Sequence, residues 1–183
     1  VALTASSVRG TGQVVLGNDN WATVIRGVTP EFLEIRDFQI INGRPFTLAD
    51  VDGATKVALV GHTVVKNLFG GTDPVGGKPS ASRKVPFTVI ESLSAKGQSV
   101  WGQDQDDIIL MPISTAKKKV LGVSQANARA VGAIVAQARG PAMMREAEEQ
   151  IVALLRQRHR LQPEEDNDFT VRSLVEMFAA QEQ

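Results

Sequence analysis

The chain has 183 residues, of which 43% are hydrophobic and 22% charged, so it can bury a core and is not a disordered polymer. Its 20 basic and 20 acidic side chains cancel, which argues against a general nucleic-acid binder, because such proteins usually carry an excess of positive charge. The absence of cysteine excludes disulfides, thiol nucleophiles and cysteine-ligated metals.

The first third of the chain predicts a β-hairpin followed by short helices. A strong turn signal, Gly-Asn-Asp-Asn at 17–20, separates two strand-like segments, 8–16 and 21–28. Thr29 is followed by a proline and a glutamate, which suits the start of a helix. A second helix is predicted to begin at Thr47, where a carboxylate three residues later makes an approximate capping box.

The middle of the chain alternates short strands with short helices. The apolar spacing predicts strands over 56–60, 78–80, 85–93 and 108–111, and helices over 62–69 and from 114 onwards. Between the last two strands, Ser94–Asp107 is polar and contains two glycines and Trp101. A loop of this length is often functional or mobile.

The last third predicts a strand, a long helix and another strand. Ala130–Ala138 is almost continuously apolar, as expected for a strand covered on both faces. Pro141–Leu161 has helical apolar spacing, with acidic residues early and arginines late, which complements the helix dipole. Phe169–Leu174 is predicted to be a strand, which would complete a split β-α-β unit, and Leu174–Ala180 a short helix.

The residues that suggest metal chemistry favour structural roles. His62 and His159 are far apart in sequence, and a zinc site would need a third ligand near them. Asp104, Asp106 and Asp107 could bind a hard cation, although such residues more often form a solvated rim before a strand. The acidic turn around Asp50 and Asp52 lacks the frame and closing glutamate of a calcium loop. We therefore predict no metal and no cofactor.

The motifs of common enzymes are absent from the sequence. Residues 71–78 resemble a phosphate-binding loop, but Thr72 stands where a glycine is needed and Pro79 follows the lysine. The serine-hydrolase elbow Gly-x-Ser-x-Gly does not occur. Trp101 is the aromatic residue that looks exposed, and either it anchors its loop or it contacts a partner together with Gln98 and Gln103.

An ordered series of motifs runs along nearly the whole chain. In sequence order these are Trp21-x4-Arg26-Gly27-Val28-Thr29-Pro30-Glu31-Phe32-Leu33, Gly43-Arg44-Pro45-Phe46 with Asp50, Val57-x-x-Val60-Gly61, Leu68-Phe69-Gly70 with Asp73-Pro74-Val75-Gly76 and Lys78, Phe87-x-Val89-Ile90, Gly97 to Gly102 with Asp106-Asp107, Met111-Pro112-x3-Ala116, and Leu154-Leu155-Arg156-x-Arg158-His159 with Asp168-Phe169. The series resembles the periplasmic core domain of MacB-type ABC transporter permeases, in the FtsX-like superfamily. Glu91 departs from the glycine that usually follows the Val-Ile pair.

This resemblance implies an α+β fold of two subdomains. A porter-like part with the split β-α-β unit would comprise residues 1–27 and 128–183, and a mixed β-rich part of the Sabre type would comprise 28–127. The domain would lie on the periplasmic side of the bacterial inner membrane, between two transmembrane helices of a permease. The fragment would lack the first strand and helix of the family.

The resemblance also implies a function without catalysis in the domain itself. ATP hydrolysis on a separate cytoplasmic domain would drive the permease, which works with a second copy of itself. The periplasmic domain would transmit that motion and dock a periplasmic adaptor, which connects to an outer-membrane duct. Two alternatives remain: a lipoprotein-releasing relative that binds an acylated protein through an exposed apolar groove, and a soluble enzyme with an acid pair in an enclosed pocket.

Overall fold

The computed structural model describes residues 1–77, 80–82, 85–99, 102–122 and 130–175. It is a mixed α+β fold dominated by one sheet, so the fold class predicted from the sequence is confirmed. None of the helices in the described part of the chain has both the length and the apolar character that a bilayer span requires.

Most of the strands follow the predicted order. The strands are β1 (Leu3–Leu16), β2 (Asp19–Val28), β3 (Ile40–Gly43), β4 (Val57–Val60), β5 (Ser80–Ser82), β6 (Val85–Leu93), β7 (Ile108–Pro112) and β8 (Ala133–Gln137). Of the strand predicted over 78–80, positions 78 and 79 lie outside the described residues, and the observed strand begins at Ser80. The strand Ile40–Gly43 was not predicted. The predicted hairpin of β1 and β2 is present, and Gly17 adopts the positive φ of +61° that a tight turn between paired strands requires.

The helices are short except for one. They are α1 (Glu31–Ile35), α2 (Leu48–Asp52), α3 (His62–Leu68), α4 (Ile113–Thr115), which continues as a π-helical turn (Ala116–Val120), and α5 (Met144–His159), which follows a 3-10 turn (Pro141–Met143). The predicted helix over Pro141–Leu161 is therefore present with slightly narrower bounds.

Six of the strands pair in a closed circuit. Going around it, β1 is antiparallel to β2, β2 parallel to β7, β7 antiparallel to β4, β4 parallel to β6, β6 antiparallel to β5, and β5 antiparallel to β1. The order of strands then continues from β1 to β8, and β3 pairs with β6. A sheet that closes on itself in this way leaves no free strand edge within the circuit.

Apolar side chains fill both sides of the sheet. On one side, Val60 of β4 packs in a cluster with α3 and with the helical turn that follows α4. On the other side, Leu59 packs with Phe32 of α1 and with Phe46. Because side chains alternate between the faces of a strand, a strand buried on both faces has an uninterrupted apolar sequence, as Val57–Val60 has.

The chain divides into two compact units. The larger is Thr4–Val135, and the smaller joins Val1–Leu3 to Ala136–Gln183. The predicted boundaries assigned residues 1–27 to the same part as 128–183. In the structure β1 from Thr4 onwards and all of β2 belong to the larger unit, because they form ladders with β5 and β7. Which unit corresponds to a porter-like or a Sabre-like subdomain stays a prediction.

The predicted strand over Phe169–Leu174 is wrong. Residues 169–173 have no regular structure, Leu174 and Val175 are helical, and the rest of the helix predicted over Leu174–Ala180 lies outside the described residues. The segment is held at the end of α5 by side chains: His159 Nδ1 lies 2.6 Å from Asp168 Oδ1, and the Phe169 ring meets the imidazole edge-on. Side-chain contacts of this kind supply no backbone ladder, so the split β-α-β unit is incomplete in the described chain.

The burial predicted for the apolar stretch Ala130–Ala138 is also wrong. Its central part forms β8, but four of the five residues of β8 are exposed, and Ile134 has 55% of its surface accessible. The continuous apolar sequence therefore does not mark a strand covered on both faces here. Helix α5 also buries little of its surface, since Ala147 is its only buried residue.

Candidate functional site

The loop between β6 and β7, Ser94–Asp107, folds back on itself as a small hairpin. Gln98 and Asp104 pair across it, and the amide of Ser99 donates to the carbonyl of Gln103 at 2.7 Å. The amide of Gln105 donates to the carbonyl of Gly97 at 3.1 Å. The described residues of this segment, called the 94–107 loop below, are therefore held together by their own backbone hydrogen bonds.

The buried carboxylate of Asp106 fixes the conformation of the base of this loop. Only 5% of its surface is accessible, and its two carboxylate oxygens accept hydrogen bonds from the amides of Lys96 at 2.7 Å and Gly97 at 2.8 Å. A buried carboxylate that receives two backbone donors fixes the conformation of the loop that supplies them.

The neighbouring aspartates tie the same loop to two other elements. Asp107 accepts hydrogen bonds from Trp21 Nε1 at 2.9 Å and Thr23 Oγ1 at 2.7 Å, both on β2. Asp104 accepts one from Thr63 Oγ1 on α3 at 2.6 Å and one from the amide of Asp106 at 2.8 Å. The sequence indicated Trp21 as a strand residue but not as the partner of Asp107.

These contacts bear on the two roles predicted for Asp104, Asp106 and Asp107, a cation site or a solvated rim. Within the described residues, no group of histidine, aspartate and glutamate side chains is placed to bind a metal ion, so nothing in the structure supports a cation site here. The reading of a solvated rim is wrong for Asp106, which is buried. The cluster acts as a set of hydrogen-bond acceptors that organise the loop.

Two further residues that sequence reasoning missed secure the loop. A Cβ atom on Gly61 would lie 2.2 Å from the carbonyl oxygen of Asp106, so only glycine allows α3 to approach the loop so closely. Lys96 Nζ donates to the carbonyls of Arg36 at 2.7 Å and Asp37 at 3.2 Å, just after α1. The glycine was visible in the sequence only as the end of a strand, because its neighbour in space is 45 positions away.

The predicted contact residues lie on the outer part of this hairpin. Gln98 and Gln103 are exposed and belong to opposite arms of it. Between them, the amide of Gly102 donates to the carbonyl of Ser99 at 2.8 Å. The third predicted contact residue, Trp101, lies outside the described residues. Both glutamines are therefore accessible to a partner.

The enzyme hypothesis requires a carboxyl group with a raised pKa. Glu91 is such a group, because burial raises its pKa to about 7. Its accessible fraction is 0%, and neither carboxylate oxygen has a hydrogen-bond partner among the described atoms. It pairs with Leu59 of β4 and Gly43 of β3, inside the sheet. A side chain sealed in this way cannot contact a substrate, so its raised pKa does not favour an active site.

The smaller unit contains a cavity of about 320 Å³ that bears on the lipoprotein hypothesis. The lining includes Arg139, Glu146 and Gln150 next to Val1, Met143 and Ala147. An acyl chain needs a continuous apolar lining. The charged side chains of this cavity do not suit that ligand.

Other candidates for chemistry have structural roles. Asp50 accepts hydrogen bonds from Arg44 Nη1 at 2.9 Å and from the amide of Thr47 at 2.9 Å, and these contacts, with that of Arg44 foremost, lower its pKa. This places it at the start of α2, as the approximate capping box predicted. His159 contacts Asp168 as described above, and His62 begins α3.

Comparison with known sequences identifies relatives along nearly the whole chain. The model of the MacB-like periplasmic core domain family matches residues 1–154. A macrolide export ATP-binding/permease protein MacB from Chlorobium luteolum is 37% identical over 173 residues, which are 94% of this chain and 25% of that protein. A pyoverdine export ATP-binding/permease protein from Pseudomonas aeruginosa is 33% identical over 81% of this chain and 22% of its own length.

Solved structures share the fold. The periplasmic region of MacB from Actinobacillus actinomycetemcomitans superimposes with a TM-score of 0.74 at 21% identity, covering 98% of this chain and 75% of that one. The extracellular domain of a noncanonic ABC-type transporter from Gram-positive bacteria gives a TM-score of 0.71 at 16% identity, covering 88% of this chain and 78% of that one.

The chain spans about a quarter of the length of the curated relatives it matches. The family match covers well over half of the chain, and the ordered motifs noted in the sequence agree with it. The chain therefore belongs to the family of MacB-like periplasmic core domains, which lie on the periplasmic side of the membrane.

Proposed function

We propose that this chain is the periplasmic domain of an export permease that transmits movement driven by ATP hydrolysis and docks a periplasmic adaptor through the 94–107 loop. The hydrolysis takes place on a separate cytoplasmic part of the transporter, which acts with a second permease copy. Support comes from the relatives, which are named as ATP-binding/permease proteins for export and are about four times longer than this chain.

The observation that carries the docking proposal is the order of the exposed 94–107 loop. The loop presents Gln98 and Gln103 to solvent, while Asp106 is buried beneath them and accepts two backbone hydrogen bonds. A surface that is ordered before binding loses less conformational entropy when a partner arrives. This favours a loop that recognises a protein over one that only connects two strands.

The closed circuit of strands supports the transmission of movement. A force applied to one strand is shared by neighbours on both sides, since every strand of the circuit has two partners. The larger unit is thus suited to move as one body and to carry the loop with it.

The docking proposal is tested on the full transporter by capture of a periplasmic adaptor protein from the same organism. Deleting the whole loop would remove Asp106 and Asp107, which hold other elements in place, so point substitutions are the sharper experiment. We expect the double variant Gln98→Ala with Gln103→Ala to lower adaptor affinity about tenfold, as truncation of central contacts does. Trp101→Ala tests the contact predicted from the sequence.

The control is Gln157→Ala, which removes an exposed glutamine side chain from α5. It should leave capture unchanged. Equal adaptor affinity for the wild type and the double variant, with both proteins folded, would contradict a role of the loop in docking.

A further inference from the structure

Three arginines come together on one side of the larger unit. Arg9 of β1 lies directly opposite Arg26 of β2 in the antiparallel ladder. Burial lowers the pKa of Arg26, and the positive charges of Arg36, which follows α1, and of Arg9 lower it further. Like charges placed directly across a pair of strands destabilise it, so this arrangement calls for an explanation.

Arg26 packs against an aromatic ring, but one of its hydrogen-bond donors has no acceptor in the described part of the chain. Its guanidinium carbon lies 5.5 Å above the centre of the Phe32 ring, and that ring stacks with Phe38 at 6.3 Å. Its Nε atom is buried and has no hydrogen-bond partner among the described atoms. A buried donor without an acceptor costs free energy unless a ligand or water supplies the acceptor.

The described residues supply no counter-charge to this group. The ion pairs of the described chain are Arg44–Asp50, Arg145–Glu149 and His159–Asp168, and none involves the three arginines. The nearby carboxylate of Asp37 accepts a hydrogen bond from Gln39 instead. Lys96 adds a fourth cation, since its ammonium lies 5.0 Å above the Phe38 ring and bonds to the carbonyl of Arg36.

We propose that Arg9, Arg26 and Arg36 form a binding site for an oxyanion, and that its occupant is a carboxylate on an acidic segment of a partner protein. Guanidinium groups present paired N–H donors that match the geometry of carboxylate and phosphate groups. The anion would accept hydrogen bonds from the guanidinium groups and would relieve the repulsion between the three cations.

A protein occupant is favoured over a lipid because the site is continuous with the 94–107 loop. Lys96 belongs to that loop and reaches Arg36, so a partner that contacts the loop extends naturally onto the arginines. This choice of occupant rests on the proposed docking function, whereas the oxyanion site itself does not.

The site is tested first with inorganic phosphate and the purified chain. The unfolding midpoint is measured in phosphate and in sodium chloride at equal ionic strength, because simple screening of repulsion would act equally in both salts. We expect phosphate to raise the midpoint by about 2–4 °C more than chloride does. Equal midpoints in the two salts would overturn the oxyanion site.

Charge-removing variants assign the effect to these residues. Arg9→Gln, at an exposed position, and Arg36→Gln should each abolish most of the phosphate effect. Arg26→Gln should abolish it entirely, provided that the variant folds. The control Lys66→Gln removes one exposed positive charge from α3 and should keep the effect. Loss of the effect in the control as well would show a response to net charge and overturn the assignment.

The occupant is then identified with two probes. One is a hexapeptide of alternating glutamate and leucine, with a glutamine–leucine peptide as its control; the other is a vesicle containing phosphatidylglycerol. Arginine-dependent binding of the acidic peptide alone supports the proposal. Arginine-dependent binding to vesicles without peptide binding overturns the protein occupant and identifies a lipid headgroup. Neither result depends on the adaptor, so failure here and failure of docking remain distinguishable.

Discussion

The carboxyl group of Glu91 is fully buried without a hydrogen-bond partner for either oxygen, and this governs how stability responds to pH. Burial raises its pKa from 4.5 to about 7. Between these two values the folded state binds more protons than the unfolded state, so the free energy of unfolding falls as pH rises. Above pH 7 both states are ionised, and the loss is complete.

Replacing this carboxyl by an amide should remove that pH dependence. We expect Glu91→Gln to match the wild type near pH 4.5 and to be more stable by about 2–3 kcal/mol at pH 8, since each pKa unit corresponds to about 1.4 kcal/mol. Urea unfolding at both pH values measures the difference. Glu34→Gln, which changes an exposed glutamate of α1, should show no such dependence. A constant difference between Glu91→Gln and the wild type from pH 4.5 to 8 would contradict the argument.

Alternation along β6 accounts for the burial of Glu91, but not for that of its neighbour Ser92. This alternation places Glu91 on the same face as Phe87 and Val89. In the structure, β6 contains one residue more than β4 between the pairs Ala58–Val89 and Leu59–Glu91. This bulge shifts the pattern, so that Glu91, Ser92 and Leu93 are all buried. A bulge is defined by the partner strand, which a single segment of sequence does not specify.

At the scale of elements, the 94–107 loop depends on the carboxylate of Asp106. Asp106→Ala leaves the amides of Lys96 and Gly97 without acceptors, and we expect a loss of about 2–3 kcal/mol in the free energy of unfolding. Hydrogen exchange of these two amides should become much faster. Asp52→Ala, which removes an exposed carboxylate from α2, serves as the control. Unchanged exchange in Asp106→Ala would mean that other contacts order the loop.

Elements with local signals were predictable from the sequence. The turn at Gly17 defines the first hairpin, and charge order and apolar spacing define α5. The 94–107 loop was located correctly, but its order was not foreseen, because Thr23 and Thr63 reach it from distant parts of the chain. The strand predicted over Phe169–Leu174 is absent because a segment forms a strand only where a neighbouring strand supplies backbone hydrogen bonds. The sequence of one segment does not specify that neighbour.

At the scale of the molecule, burial differs greatly between elements of the two compact units. All four residues of β4 in the larger unit are buried, whereas α5 in the smaller unit buries only Ala147. We expect amides in the second half of α5 to exchange with solvent at least about 100-fold faster than those of β4, because segments with few buried contacts open locally. Exchange measured by mass spectrometry tests this, and equal protection of the two segments would contradict it.

The family was recognisable from the sequence because its motifs recur in order, but the closed circuit of strands was not. Each pairing that closes it joins distant residues, such as Val24 with Ile108 and Val14 with Ser82. No local pattern records which strands become neighbours, and the domain boundaries drawn from the sequence differ from the compact units for this reason.

The closed circuit of strands affects how the chain folds while it is being synthesised. Strand β2 gains its second neighbour only when β7, which ends at Pro112, is available. Until the chain has been synthesised as far as Pro112, the first hairpin exposes an unpaired edge that can join the wrong strand. Assembly must therefore wait for long-range encounters, which fold slowly compared with helical bundles, and a newly made chain is most vulnerable to aggregation during that interval.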